Sequence, residues 1–159
     1  DLYRFLRGLE EMFGLRARQK GITLDLACAP GVPQYVHADQ NKLRQILINL
    51  LGNAVKSTET GGVRLSVKRK PGQGDASDSV VLDFEVADTG YGISSQEQGR
   101  IFDAFYQSDS QGSPRQGTGL GLSISRKIVA SYGGQIRVAE AEKGGTCMTV
   151  FLPNYLQGS

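Results

Sequence analysis

The chain has 159 residues, 39% apolar and 21% charged, which is the size and composition of one globular domain with a single hydrophobic core. A formal net charge of +2 without any long basic run argues against a nucleic-acid-binding arm, and no apolar stretch reaches the ~18 residues that a membrane-spanning helix needs. Because Cys28 and Cys147 lie far apart and His37 is the one histidine, we expect neither a zinc site nor a disulfide framework, and we expect a reducing, cytoplasmic location.

The first half of the chain predicts two helices separated by two extended segments. Apolar residues recur with a helical period, change to alternation, and return to the helical period, while Gly21 and a proline-containing loop interrupt the pattern. Asp39 is the expected N-cap of the second helix. In chain order, the predicted elements are a helix over residues 1 to about 19, a strand at 22–26, an extended segment at 34–37 and a helix at 40–57. The first helix begins so abruptly that we expect the chain to be a piece of a longer protein.

The second half of the chain predicts two hairpins on either side of a glycine-rich region. In chain order, the elements are strands at 63–67 and 80–86 joined by a polar linker at 68–79, a short helical segment at 96–102, a helix from 120 to about 132, and strands at 136–138 and 146–152. A doubly wound sheet would alternate strands with helices, and this order does not. The predicted architecture is therefore a mixed or mostly antiparallel sheet with helices on one face.

The helix at 40–57 carries a narrow polar stripe formed by Gln45, Asn49, Asn53 and Lys56. Most of the remaining circumference is apolar. Such a stripe is either an exposed seam or the lining of a cavity, and the helix alone leaves both interpretations open. Exposed seams usually carry Lys and Glu, whereas amides can offer their oxygen atoms to a hard cation.

A first glycine motif follows the strand at 80–86. The strand leads into Asp88, and Gly90 and Gly92 then allow the backbone to turn closely past any group that the carboxylate faces. The alternative is an ordinary turn or cap residue, which is common for an aspartate at a strand end.

A second glycine cluster, at residues 117–121, opens the helix predicted from residue 120. Its amide N–H groups would lie at the positive end of the helix dipole, which is favourable for binding phosphate. The spacing differs from the dinucleotide-binding fingerprint, and the chain has no P-loop motif. The polar stretch at 103–116 that precedes the cluster is interpreted either as a lid over a ligand or as disorder.

Together these segments resemble the catalytic domain of sensor histidine kinases. The N box, first glycine box, F box and second glycine box of that family match residues 39–56, 88–92, 101–105 and 117–122, in the same order. The resemblance covers residues 1–153 as one catalytic domain and leaves 154–159 as a tail. It implies the Bergerat fold, which gyrase, a heat-shock chaperone and mismatch-repair ATPases share. This fold is an α/β two-layer sandwich whose mixed sheet of about five strands is covered on one face by three helices.

The resemblance implies a role for each site residue, with ATP and Mg²⁺ as cofactors. On the phosphate side, Asn53 would coordinate Mg²⁺, and Asn49 and Lys56 would contact the phosphates. On the base side, Asp88 would accept a hydrogen bond from the amino group of adenine, with support from Thr146. The other residues that the resemblance implies are the lid cation Arg115 and the box residues Gly90, Gly92, Ile93, Phe102, Phe105, Gly117, Thr118, Gly119, Leu120, Gly121 and Leu122.

The activity that the resemblance implies is transfer of the γ-phosphoryl group of Mg-ATP to a histidine on a separate helical hairpin in two-component signalling. A response-regulator receiver domain would be an indirect partner. His37 lies just before the N-box helix, outside any such hairpin, so we do not expect it to be the acceptor. We expect the isolated chain to be a monomer and a longer parent, whether or not it is anchored in a membrane, to be a homodimer.

Two alternative functions use the same fold. An ATP-hydrolysing switch of the gyrase or mismatch-repair type would need a general-base glutamate where this chain has Asn49, and an amide cannot take the proton. A docking module without activity would have lost some of the site residues, yet Asn53, Lys56 and Asp88 are all present. The sequence therefore favours phosphoryl transfer.

Overall fold

The computed structural model describes residues 1–71, 79–89, 121–140 and 145–157. In these ranges the chain forms three helices and six strands. The helices are α1 (Leu2–Lys20), α2 (Gln40–Ser57) and α3 (Gly121–Ser131), and the strands are β1 (Thr23–Cys28), β2 (Val36–His37), β3 (Gly62–Pro71), β4 (Ser79–Asp88), β5 (Gln135–Glu140) and β6 (Thr146–Gln157). The helices and strands predicted within these ranges are confirmed, whereas the helical segment predicted at 96–102 lies outside them.

The strands form one mixed sheet. They follow the order β1, β3, β4, β6 across the sheet, and the outer side of β6 then pairs with β5 near one end and with β2 near the other. β1 runs parallel to β3, while β4 is antiparallel to both β3 and β6. Because β5 and β2 share the outer position, the sheet is five strands wide. This confirms the predicted mixed sheet.

One face of the sheet is apolar and is covered by the helices. Alternate residues of a strand point to the same face, and the inward-facing residues of β3 and β4 are Val63, Leu65, Val67, Leu82, Phe84 and Val86, all of them buried. Helix residues that join this core include Leu6, Phe13, Leu47, Leu51 and Val129. On the opposite face Arg64 and Lys68 are exposed. None of the described helices combines the length and the apolar character that crossing a membrane requires.

Polar groups hold both ends of α2. At its start, the Asp39 carboxylate accepts hydrogen bonds from two backbone N–H groups of the first turn, at 3.1 and 3.2 Å, which confirms the predicted N-cap. At its end, the Lys20 ammonium donates hydrogen bonds to the carbonyl oxygens of Val55 and Lys56, at 2.7 and 3.1 Å. A cation at this end of a helix interacts favourably with the helix dipole. The end of α1 therefore helps to place the last turn of α2.

β3 is longer than the sequence predicts. Residues 68–71, assigned to a polar linker, continue β3 because β4 pairs with them, although β1 has already ended opposite Val67. This part of β3 carries charged side chains, and Lys70 Nζ lies 3.0 Å from Asp83 Oδ2 of β4. Cross-strand ion pairing thus replaces the apolar alternation that marks the rest of the strand.

β6 continues past Pro153, where the sequence analysis ends the catalytic domain. It pairs with β2 and β4 up to residues 156–157. The register between β4 and β6 shifts between Val80 and Leu82, opposite the part of β6 that contains Pro153. Since proline has no N–H to donate to a ladder, it is tolerated within a strand at such an irregularity.

Candidate functional site

Asp88 lies at the end of β4, against the start of β6. Pairing of Ala87 with Cys147 places the two strand ends side by side, and the Asp88 carboxylate accepts a hydrogen bond from the backbone N–H of Thr146 at 3.2 Å. Asp88 is 6% exposed and Thr146 is 7% exposed. The fold therefore brings together the two residues assigned to the adenine side, and the backbone of Thr146 makes the contact.

Gly145 packs directly against Asp88. Its φ of +84° is in the left-handed region, and a Cβ atom added there would lie 2.1 Å from the backbone oxygen of Asp88 and 2.9 Å from Oδ1. The sequence motifs did not predict this role. Gly145 immediately precedes the predicted site residue Thr146, and that position was the available signal.

Replacing Gly145 with alanine should lower the free energy of unfolding by roughly 2 kcal/mol, because left-handed strain adds to the clash with the Asp88 backbone. Gly31→Ala is a matched control, since Gly31 has a φ of +92° with open space at its Cβ position, and strain alone should cost about 1 kcal/mol. Urea unfolding followed by circular dichroism measures both losses. Equal losses would show that the close approach to Asp88 has no energetic weight.

The polar stripe of α2 divides into a structural contact and exposed positions. Asn49 is half-buried, and its Nδ2 donates a hydrogen bond to Ser125 Oγ of α3 at 3.1 Å. Gln45, Asn53 and Lys56 are exposed. Asn53 and Lys56 follow Asn49 by about one and two helical turns, at roughly 5.4 Å per turn. The two side chains that the resemblance assigns to Mg²⁺ and phosphate are therefore accessible to a ligand.

Ser125 is a second site residue that the sequence motifs did not predict. It is fully buried and belongs to α3, which begins at Gly121, the last residue of the second glycine cluster. The available signal was its position directly after Ile124, which belongs to the apolar pattern of this helix. Through Asn49, Ser125 ties α2 to the helix whose start is the predicted phosphate-binding end.

Cys147 pairs with Ala87, the residue before Asp88, in the ladder between β4 and β6. Burial raises the pKa of the Cys147 thiol, and the negative charge of Glu85 raises this pKa further. The thiol therefore stays protonated at neutral pH and is a poor nucleophile. Within the described ranges, no three His, Cys, Asp or Glu side chains cluster as metal ligands.

Most of the predicted lid and box residues lie outside the described ranges. These residues are Gly90, Gly92, Ile93, Phe102, Phe105, Arg115, Gly117, Thr118, Gly119 and Leu120. For Gly121 and Leu122 the structure describes the backbone, which forms the first residues of α3. The helix predicted to follow the second glycine cluster is thus confirmed.

The region that contains α2 and the ends of β4 and β6 matches a known protein family. Residues 38–156 match the family of histidine kinase-, DNA gyrase B-, and HSP90-like ATPases. The chain belongs to this ATPase family.

The most similar relatives of this ATPase-family chain include bacterial sensor proteins. It is 40% identical over 158 residues to the aerobic respiration control sensor protein ArcB of Escherichia coli (strain K12), covering 97% of the chain and 19% of that protein. It is 41% identical over 139 residues to the sensory/regulatory protein RpfC of Xanthomonas campestris pv. campestris, covering 87% of the chain and 19% of that protein. The chain thus spans about a fifth of the length of these relatives.

Solved structures show the same fold. The chain is 27% identical to the catalytic domain of the histidine kinase ThkA, with a TM-score of 0.74 over 97% of this chain and 95% of that one. It is 36% identical to part of full-length ShkA in complex with AMPPNP, with a TM-score of 0.80 over 100% of this chain and 31% of that one. These likenesses confirm the predicted fold within the ATPase family.

Proposed function

We propose that this chain binds Mg-ATP and transfers its γ-phosphoryl group to a histidine on a separate helical hairpin in two-component signalling. The buried Asp88 carboxylate, held by the Thr146 N–H at 3.2 Å, is the observation that carries the proposal. Family membership and the likeness to histidine kinase catalytic domains support it. We propose that residues 1–153 form one catalytic domain, whose last strand, β6, continues to Gln157.

Asp88 suits recognition of adenine. An ionised carboxylate only accepts hydrogen bonds, and adenine presents an amino group where guanine presents a carbonyl oxygen. Because the Thr146 N–H already orients the carboxylate, binding the base requires little rearrangement. We propose that Asp88 accepts a hydrogen bond from the adenine amino group and that Thr146 positions the Asp88 carboxylate.

Asn53 and Lys56 suit the phosphate end of Mg-ATP. Mg²⁺ takes oxygen ligands and keeps several waters, which an exposed amide oxygen on Asn53 permits. Lys56 offers a positive charge to phosphate, and N–H groups at the start of α3 lie at the positive end of a helix dipole. When bound, Mg²⁺ neutralises charge on the phosphate oxygens. We assign Arg115 to the same end as a lid cation.

Asn49 favours phosphoryl transfer over hydrolysis. It stands where the hydrolysing relatives carry their general-base glutamate, and its amide cannot take a proton from water. Its Nδ2 is moreover engaged with Ser125 Oγ at 3.1 Å. We therefore propose that Asn49 orders the phosphate side of the site and that ATP hydrolysis by the chain is slow.

His37 lies far from Asp88 along the sheet, which supports an acceptor on another segment. The backbone of His37 pairs with Leu156 of β6, while Asp88 contacts Thr146 at the other end of that strand. At roughly 3.3 Å per residue, this separation is about 30 Å. Because an acceptor must lie close to the γ-phosphate and in line with the leaving oxygen, we propose a separate histidine-bearing hairpin as the acceptor.

We also propose an indirect partner, an oligomeric state and a location for the reaction. A receiver domain of a response regulator would take the phosphoryl group from the hairpin, so it is an indirect partner of this chain. The chain would be a monomer by itself and part of a homodimer within a longer protein. We propose that the reaction takes place in the cytoplasm, where ATP is available.

Incubation with Mg²⁺ and γ-labelled radioactive ATP should leave this chain unlabelled. A histidine-bearing hairpin from the longer protein, added as a separate polypeptide, should acquire acid-labile, base-stable label, because phosphohistidine has that stability. The His37→Gln chain should label the hairpin equally well. Acid-labile label on the chain itself that His37→Gln removes would place the acceptor within this chain and overturn the proposal.

A further inference from the structure

Thr89, the residue after Asp88, is hydrogen-bonded to the turn at residues 58–61, which joins α2 to β3, and to Gly62, the first residue of β3. Its hydroxyl donates a hydrogen bond to the backbone oxygen of Thr60 at 2.8 Å and accepts one from the backbone N–H of Gly62 at 3.1 Å. Its backbone N–H donates to the oxygen of Gly62 at 3.2 Å. The backbone and the side chain of Thr89 thus join the end of β4 to this turn and to the start of β3.

The same turn is attached to the last turn of α2. Thr58 is fully buried, and its hydroxyl donates a hydrogen bond to the oxygen of Ala54, the residue after Asn53, at 2.8 Å. Gly61, within the turn, has a φ of +91°, and a Cβ atom added there would lie 2.2 Å from Thr89 Oγ1. The turn therefore approaches Thr89 so closely that a side chain at position 61 would have to displace the Thr89 side chain.

We propose that Thr89 is a positioning residue that sets the spacing between Asp88 and the Asn53–Lys56 end of α2. This inference rests on the proposed ATP site, in which these two places hold opposite ends of the nucleotide. Thr58 donates a hydrogen bond to the last turn of α2, and the Thr89 hydroxyl donates one to Thr60, two residues after Thr58. Asp88 directly precedes Thr89 in the chain. The Thr89 hydroxyl therefore adds a side-chain link between the end of β4 and the turn, beside the pairing of Asp88 with Val63 of β3.

Thr89→Val keeps the side-chain shape and removes the hydroxyl. We expect its affinity for Mg-ATP to fall about tenfold, which is the scale of one or two lost hydrogen bonds. Its affinity for adenosine, which reaches only the Asp88 end, should fall less than about twofold, because spacing does not matter to a ligand held at one end. Thr89→Ser keeps the hydroxyl and should restore the affinity for Mg-ATP.

Thr23→Val is the matched control. Thr23 of β1 donates a hydrogen bond from its hydroxyl to Gly61 in the same turn, at 3.5 Å, but belongs to a strand that does not pair with β4. Calorimetric titration of both ligands should show that Thr23→Val leaves both affinities unchanged. Urea unfolding checks that both variants are folded. An unchanged Mg-ATP affinity in Thr89→Val, an equal loss in Thr23→Val, or equal losses for adenosine and Mg-ATP would each overturn the positioning role.

Asp88→Asn, titrated in parallel, distinguishes this inference from the proposed function. If Asp88→Asn lowers the affinity for both ligands while Thr89→Val changes neither, the ATP site stands and only the role of Thr89 is wrong. If Asp88→Asn changes neither affinity, the proposed adenine site itself is wrong, and the role of Thr89 is wrong with it.

Discussion

Replacing Asp88 with asparagine should weaken Mg-ATP binding by roughly 1.5 to 3 kcal/mol, the range for a hydrogen bond to a charged group, or about 10- to 150-fold in affinity. The amide carries one acceptor oxygen and presents an NH₂ group that cannot pair with the amino group of adenine. Discrimination against GTP should fall with it. Calorimetric titration with ATP and GTP measures both effects.

Asp83→Asn is the control for this variant. Asp83 lies on the same strand and is also 6% exposed, but it pairs with Lys70 at 3.0 Å five residues away from Asp88 along β4. The variant should lose stability without losing affinity for ATP. Circular dichroism establishes that both variants are folded. A folded Asp88→Asn protein with the parent affinity, or equal losses in both variants, would remove Asp88 from the nucleotide site.

Replacing Asn53 with alanine should abolish the dependence of ATP affinity on Mg²⁺. The substitution removes the proposed oxygen ligand but leaves Asp88 and Thr146, so adenosine binding should persist. Transfer to the histidine hairpin should fall by at least about 100-fold, the scale of losing one charge-stabilising group in an active site. Because Asn53 is exposed, the stability of the fold should hardly change.

Titration with ATP in excess Mg²⁺ and then in chelator tests the metal assignment. The parent should lose affinity in chelator, whereas Asn53→Ala should bind ATP equally in both. Gln45→Ala is the control, since Gln45 is exposed on the same stripe of α2 two turns earlier, and it should retain the response to Mg²⁺. If Asn53→Ala gains affinity on adding Mg²⁺ as the parent does, the metal is held elsewhere.

Features that depend on neighbouring residues in the chain were predictable. Asp39 caps α2 because a cap needs only the next few residues, and the alternation of Val63, Leu65 and Val67 placed β3 on the core. Strand residues 68–71 were missed because they have no apolar alternation. Their pairing depends instead on β4 and on the ion pair with Asp83. The resemblance to histidine kinases added the fold class, which family membership and the solved structures confirm.

The sequence by itself therefore determined most of the described helix and strand residues and the chemical types at the site, because local periodicity and capping act over a few residues. Only the tertiary structure decided which of these residues touch. Asp88 and Thr146 are 58 residues apart, and Asn49 and Ser125 are 76 apart. A shift of one residue between β4 and β6 would turn Asp88 to the other face of the sheet. Such contacts are set by strand register and helix packing, which arise only when the whole core is assembled.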